Sequence, residues 1–419
     1  MDLLCNAYSN ASDHEDEEEE PPKRQRVSLS SPNPLKRHLP LSSHPSFNHQ
    51  TQAPMPGRYI SKRQRALMAP PLPLFLTRSI LDADIHHNIL SLLKSKAKGH
   101  QSPNLISEKL SASLYGHTKA VNAIHWSSTH AHLLASAGMD HAVCIWNVWG
   151  RNQKKACVLN FHNAAVKDVK WSQQGHFLLS CGYDCTSRLI DVEKGLETRV
   201  FREDQIVGVI KFHPDNSNPT KHGHPIPLPC PGVRHVSVSV SNTTPTLTSP
   251  ILDVEFTMNG KQFISSSDVS QSNANKNAII VWDVSREIPL SNQVYVEAYT
   301  CPCVRCHPFD SIFVAQSNGN YDAIFTTTPP YRLNKYKRYE GHVVSGFPIK
   351  CNFSLDGKKL ASGSSDGSIY LYDYQSSKVV KKIKAHDQAC IDVAFHPVIP
   401  NVIASCSWDG SILGSQTKI

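Results

Sequence analysis

From about Leu105 to Ile419, apolar residues arrive in short runs separated by turn residues, the pattern of β-strands. Upstream the period changes. Leu81, Ile85, Ile89, Leu92 and Leu93 recur at helical spacing, and Ser79 with Asp82 has the form of a capping box. This predicts a short amphipathic helix over about 79–94, whose apolar stripe must be covered by its own domain or by a partner protein. Earlier residues show neither period. Asp13 to Glu20 holds seven acidic residues in eight, Pro21 and Pro22 follow, and Ser, Pro and His dominate as far as Pro56. Such a stretch buries too little apolar surface to offset its ordering entropy. The expected organisation is a disordered tail over 1–104, carrying the one helix, and a folded domain over 105–419.

The folded part is repetitive. Four segments share one spacing: His117, Ser136, Asp140, Trp146; His162, Ser180, Asp184, Ile190; His342, Ser362, Asp366, Tyr372; and His386, Ser405, Asp409. In each the Ser precedes the Asp by four residues and the His precedes it by 22 to 24. Successive histidines are 45 and 44 residues apart within the two pairs, and 180 residues, four such steps, separate the pairs. Three degraded copies therefore belong in between, which makes seven. Their traces are Val207 to Phe212 before His213-Pro214, Ile251 to Phe256 with Ile279 to Val284, and Cys303 to His307 leading through Asn318-Gly319 to Phe325. A period near 44 with four strands per copy is the signature of a β-propeller blade.

The spacing resembles that of the WD40 family over roughly 105–419. The resemblance implies an all-β, seven-bladed WD40 β-propeller in which His, Ser, Asp and Trp of a blade form a hydrogen-bonded structural tetrad. The complete set is His117, Ser136, Asp140 and Trp146. Partial tetrads are His162, Ser180 and Asp184, then His342, Ser362 and Asp366, then His386, Ser405 and Asp409, with Ile190 and Tyr372 standing where two copies would have Trp. It also implies that Leu110 to Leu114 closes the ring beside the strand ending at Cys406 or the one after Gly410. Two blades are expected to be irregular. Residues 219–249 contain six prolines, which cannot donate to a ladder, so they read as an insertion or as replaced strands of the third blade, although Val233 to Val240 can supply one strand. The last blade's final strand, begun at Ile412, is expected to dissolve over Leu413 to Ile419.

Composition refines this picture. Apolar residues make up 40% and charged residues 19%, enough for a sizeable core. No apolar run approaches the roughly 18 residues of a membrane-spanning helix, and the first residues do not read as a secretory signal, so a soluble intracellular protein is expected. The twelve cysteines read as reduced, structural thiols. The net charge of +8 is concentrated in clusters. Lys23, Arg24 and Arg26 have the form of a nuclear localisation signal and Lys62, Arg63 and Arg65 repeat that chemistry, while Arg58, Lys62, Arg63 and Arg65 are also candidate contacts to a partner or RNA. Tyr331 to Tyr339 interleaves Arg332, Lys335, Lys337 and Arg338 with three tyrosines, a pattern suited to single-stranded nucleic acid or to a solvated outer strand.

Other motifs carry less. Pro302-Cys303-Val304-Arg305-Cys306 matches half of a zinc-deaminase signature without its His-x-Glu, and Cys301 to His307 alternate across one strand, so no metal is expected. Gly363 to Gly367 fits a nucleophile elbow but precedes a strand, Ile369 to Asp373, where that motif needs a helix. Trp282-Asp283-Val284-Ser285-Arg286 is similar to a cullin-docking motif with its Arg one place late. No catalytic residue and no cofactor are expected.

Within the WD40 family, GRYISKRQRAL (57–67), LYGHTKAVNAIHWS (114–127), YRLNKYKRYEGH (331–342) and KAHDQACIDVAFHP (384–397) resemble the subgroup of second-step pre-mRNA splicing factors and their sister group. That resemblance implies a nuclear, non-enzymatic, monomeric scaffold whose partners are proteins of a multi-subunit complex, spliceosomal in kind, with RNA met indirectly or weakly and no small-molecule substrate. The alternatives are a substrate adaptor of a cullin-type ubiquitin ligase and a direct single-stranded RNA binder.

Overall fold

The structure is a computed structural model that describes residue 85 and residues 87–97, 111–151, 153–214, 235–239, 251–267, 279–286, 288–291 and 299–416. The remaining residues, with the clusters at Lys23–Arg26 and Arg58–Arg65 and the pair Ser79 and Asp82, lie outside the described residues. Among the described residues no helix is long and apolar enough to cross a membrane.

Six antiparallel four-stranded sheets form the blades. Blade one holds β2 (Val121–Trp126), β3 (Leu133–Gly138), β4 (Val143–Asn147) and β5 (Lys155–Leu159). Blade two holds β6 (Val166–Trp171), β7 (Phe177–Gly182), β8 (Thr186–Asp191) and β9 (Leu196–Arg202). A two-stranded ribbon follows, β10 (Val207–Phe212) paired with β11 (His235–Ser239). Blade three is β12 (Ile251–Phe256), β13 (Gln262–Ser267), β14 (Ile279–Asp283) and β15 (Ile288–Ser291). Blade four is β16 (Cys303–Cys306), β17 (Ile312–Ser317), β18 (Tyr321–Thr326) and β19 (Leu333–Glu340). Blade five is β20 (Cys351–Phe353), β21 (Lys359–Ser362), β22 (Ser368–Asp373) and β23 (Val379–Lys384). Blade six joins β24 (Cys390–Phe395), β25 (Val402–Ser407) and β26 (Ile412–Gln416) to β1 (Ala112–Leu114) from the other end of the domain.

Two expectations are corrected here. The spacing led to seven blades, but the described residues form six, and the ribbon stands where the third of seven was expected. The stretch between β10 and β11 is rich in proline, at Pro219, Pro225, Pro227, Pro229 and Pro231, each of which lacks a ladder donor. The last blade, in contrast, is regular. β26 pairs along its length with β25 and, through Ile412 to Gly414, with β1, so Leu413 and Ser415 continue a strand expected to fade. Neighbours on both sides hold this strand in register despite its weak local signal.

Burial explains the composition of each strand. β3, β8 and β25 are buried at every position because both faces of a blade pack on a neighbour; β3 and β25 are apolar or small throughout, while β8 also buries Arg188 and Asp191, each in an ion pair. Outer strands alternate or stay open, as in β9 and β23. The helix, α1 (His87–Ala97), runs three residues beyond the expected end through Lys94-Ser95-Lys96-Ala97, with good helix formers at Lys94, Lys96 and Ala97. Its stripe lands on its own domain. Ile89 and Leu93, with Ile85 just before the helix, are buried in one cluster with Trp126, Trp149 and Ile399, at the junction of blades one and six.

The ring-closing strand rests on Leu114, fully buried beside Trp146, Cys406 and Ile412. Leu114→Ala is expected to lower stability by about 2–5 kcal/mol, read from urea denaturation midpoints. A loss below about 1 kcal/mol would show that closure does not depend on this contact.

Candidate functional site

In blade one, His117 Nδ1 lies 3.0 Å from both Asp140 carboxylate oxygens, His117 Nε2 lies 2.7 Å from Ser136 Oγ, and Trp146 Nε1 donates to the same Oγ at 2.8 Å. Burial alone would raise the Asp140 carboxyl, but the hydrogen bond and charge of His117 hold it below its usual range. In blade two, His162 bridges Asp184 at 3.0 Å and Ser180 at 2.8 Å. Ile190 has no N–H to add, and Thr186 and Arg188 contact Asp184 as well. In blade six, His386 reaches Ser405 at 2.8 Å, but its Nδ1 meets Ser411 at 2.7 Å, with Asp409 3.8 Å away.

The blade-five set is not brought together. His342 Nδ1 meets the Tyr372 hydroxyl at 2.8 Å, Ser362 Oγ donates to the Gly363 carbonyl, and Asp366 pairs with Lys382 at 2.8 Å. The large residue that replaces Trp thus captures the histidine directly. Blade three supplies a pair that the His–Ser–Asp spacing missed. Trp282 Nε1 donates to Ser265 Oγ at 2.8 Å, at a sequence separation of 17 against ten in blade one.

Two further sets of ties join blades, and sequence reasoning overlooked both. Asp168, Asp253 and Asp392 follow a bulge in the innermost strands β6, β12 and β24. Each accepts the backbone N–H of the next inner strand: Ile210 at 3.5 Å, Val304 at 3.0 Å and Ile124 at 3.1 Å. Cations from the same strand or from neighbouring blades neutralise them. Lys170 meets Asp168 at 2.6 Å, Arg305 meets Asp253 at 2.6 Å, and Lys350 stands between Asp168 and Asp392 at 3.8 and 3.6 Å. The second set is the His-Pro pair that ends three inner strands. His213, His307 and His396 engage the carbonyls of Gly260, Gly357 and Ala131 in the next blade at 3.0, 2.9 and 2.8 Å. Gly357 has φ +68°, and a Cβ there would lie 2.6 Å from His307 Nε2, so both backbone and neighbour require glycine. The available signal was the recurrence of Asp-Val and His-Pro at fixed places in the inner strands.

The seam between blades four and five departs from this scheme. Asp322 and Gln316 pair across β18 and β17, both fully buried. Neither carboxylate oxygen of Asp322 has a hydrogen-bond partner among the described residues. His342 Nε2 is 3.9 Å away. Burial pushes the Asp322 carboxyl up to about 8 and His342 down to about 4.

Of the predicted partner contacts, Arg332, Lys335, Lys337 and Arg338 lie on or beside β19, the outer strand of blade four. Arg332 and Lys335 are exposed, while Lys337 Nζ sits 4.4 Å over the Tyr374 ring and Arg338 4.6 Å over Tyr321. Only Tyr336 of the three tyrosines is exposed, since Tyr331 and Tyr339 are buried. Cys303 is buried with its Sγ 4.0 Å from Cys351 Sγ in the next blade, and Cys306 belongs to the core cluster on the blade-three side. No group of three His, Cys, Asp or Glu side chains among the described residues is placed to hold a metal. Gly363 to Gly367 forms the turn into β22, and Asp283 caps its own turn by accepting the Ser285 and Arg286 N–H groups.

This geometry defines the class: the chain carries WD40 repeats. The family model described as "WD domain, G-beta repeat" matches residues 108–147, 153–191, 333–373 and 377–413. Within that class the chain is 34% identical over 312 residues to "WD repeat-containing protein 25" of Mus musculus, over 73% of this chain and 57% of the relative. It is 28% identical to "Pre-mRNA-processing factor 17" of Homo sapiens, over 71% of this chain and 50% of that protein. To "U5 small nuclear ribonucleoprotein 40 kDa protein" of Dictyostelium discoideum it is 25% identical, over 73% and 84%. The chain spans about half the length of the first two relatives.

The buried titratable groups set a pH profile. Burial holds His132, His342, His386 and His396 down to about 4. Unfolded, these histidines protonate near about 6.5, so the unfolded chain binds more protons below that pH and stability falls from about 6.5 toward 4. Asp322 acts oppositely. Unfolded it loses its proton near about 4, folded it keeps it to about 8, and stability falls as pH rises across that interval. Four histidines outweigh one carboxyl where the windows overlap, so urea midpoints should peak near about 6.5. Asp322→Asn should flatten the limb between about 6.5 and 8. A wild-type profile already flat there would contradict this assignment.

Proposed function

We propose that the chain is a non-enzymatic scaffold for protein–protein interactions in a nuclear ribonucleoprotein assembly linked to pre-mRNA splicing. The supporting observation is similarity running through most of the propeller to proteins named for pre-mRNA processing and for the U5 small nuclear ribonucleoprotein. The chemistry is compatible. The His, Ser and Asp side chains of blades one and two that a hydrolase would use are bonded to one another as struts, and in blade six His386 bonds Ser405 and Ser411, so these polar groups serve the fold. Function then resides on the rims, the outer strands and the tail. In this reading the chain acts as a monomer, Lys23, Arg24 and Arg26 direct nuclear import, and Arg58, Lys62, Arg63 and Arg65 contact the assembly, the tail ordering on binding.

Affinity purification of the tagged chain from nuclear extract, with and without ribonuclease, tests this. Ribonuclease-resistant recovery of splicing proteins is expected, and Lys62→Ala, Arg63→Ala and Arg65→Ala combined should abolish it. Unchanged recovery by the triple variant would remove that segment from the interface. Recovery of ubiquitin-ligase components in place of splicing proteins would replace the scaffold reading with the adaptor one.

A further inference from the structure

The outer strands of blades four and five bear an excess of cations unlike the other outer strands described. β19 and its flank carry Arg332, Lys335, Lys337 and Arg338, and β23 with its flank carries Lys378, Lys381, Lys382 and Lys384. β15 of blade three carries none, β5 of blade one has Lys155 with Lys154 beside it, and β9 of blade two has Arg199 and Arg202 against Glu197, each fewer than the four on β19 or β23 with its flank. Tyr374 links β19 to the turn that leads into β23. Tyr339 donates to the Tyr374 carbonyl at 3.1 Å across the seam, and Lys337 covers the Tyr374 ring. Tyr374 lies in the turn that leads into β23, where Asp373 N–H bonds the Lys378 carbonyl. Four carboxylates stand against the eight cations: Glu340, Asp310, Asp366 and Asp373. Three of these have local duties, since Asp310 accepts from Tyr374, Asp366 from Lys382 and Tyr370, and Asp373 from Ser376.

The strand itself pushes this chemistry outward. Pairing of β19 with β18 is interrupted between Arg338 and Leu333, and Asn334 turns back to accept the Tyr336 N–H at 3.0 Å. Lys335 and Tyr336 therefore project from a bulge, with the Tyr336 ring fully exposed among the basic side chains. An exposed aromatic ring within a row of cations suits a polymer that carries both phosphates and bases better than an acidic peptide. Of the three tyrosines of this segment, Tyr331 and Tyr339 are buried, so Tyr336 is the one open to stacking with a base.

We propose that this belt across blades four and five docks RNA through its phosphate backbone, without reading sequence. The proposal extends the ribonucleoprotein reading and can fail separately from it, because its test needs only the purified full chain and a defined RNA.

The probe is a fluorescein-labelled uridine oligonucleotide, its binding followed by anisotropy between about 50 and 200 mM KCl. Arg332→Ala, Lys335→Ala and Lys378→Ala combined should weaken binding at low salt by about tenfold or more and shallow the salt slope by about 2, at roughly 0.7 per lost phosphate contact. A control of equal charge, Lys154→Ala, Arg199→Ala and Arg202→Ala, should bind within about twofold of wild type, and both variants should keep the wild-type melting curve. Tyr336→Ala should weaken binding without changing the salt slope. Equal losses in the belt and control variants would assign the binding to bulk charge and overturn the proposal. So would no loss in the belt variant. Displacement of the RNA by a polyglutamate of matched charge, with Tyr336→Ala silent, would show that the surface takes acidic protein and overturn the RNA assignment.

Discussion

A propeller blade is apolar on both faces, so it is stable only between two neighbours, and the arrangement holds only if the ring closes. Closure in this chain is over-determined. β1 completes blade six by pairing with β26. Asp392 of blade six accepts the Ile124 N–H of blade one, the Trp126 indole donates to the Ala394 carbonyl at 3.2 Å, and His396 engages Ala131 at 2.8 Å. The core at the same junction takes in Trp126, Trp149, Ile399 and the stripe of α1. Main-chain pairing, buried hydrogen bonds and apolar packing thus converge where the two ends of the domain meet, the seam that no chain connection reinforces.

The same logic explains how the ring accommodates a ribbon of two strands. What a neighbour needs is the inner strand. β10 packs between β6 and β12, gives its Ile210 N–H to Asp168, and places Lys211 2.5 Å from Glu255 of blade three. Outer strands add less per residue because about half of each faces solvent, as the alternating exposure of β9 and β23 shows. A copy described by its inner strand and one neighbour therefore preserves both seams. Length did not decline with strand number, which is why counting steps of 45 residues overstated the number of blades.

Legibility followed the side chains whose spacing the fold holds constant. His117, Ser136, Asp140 and Trp146 were readable because one hydrogen-bonded unit places them at fixed offsets around a tight turn. The inner strands β10 and β12 were located residue for residue from their apolar runs, and β16 to within one residue. His342 was misread for a physical reason: a phenol at Tyr372 reaches the ring that an indole leaves for aspartate. The ties of Asp168, Asp253 and Asp392 were hidden because an acid inside an apolar run looks like an interruption. Only the bulge beside each shows that the carboxylate turns to the next strand. Trp282 and Ser265 were separated by the longer connection over 268–278, which breaks fixed spacing without breaking the contact.

These ties also decide where function can reside. A buried polar group is stable only when bonded, and His117, His162, Asp168, Asp253 and Asp392 meet that demand from neighbouring strands. Recruiting any of them for catalysis would loosen the blade or the seam that it holds. The blade four–five seam is different in kind. Asp322 and Gln316 occupy cross-strand positions taken by Val143 and Ala137 in blade one, so polar groups replace apolar packing there without gaining the ties found elsewhere. Tyr339 and Tyr372 pack edge-on at 5.5 Å across the seam, and Tyr339 reaches the Tyr374 carbonyl. The outer edge of that seam is therefore held by aromatic rings, with Lys337 and Lys382 resting on Tyr374 and Tyr370. Here the residues that hold two blades together are the ones that carry the charged surface, and interior and exterior share one structural element.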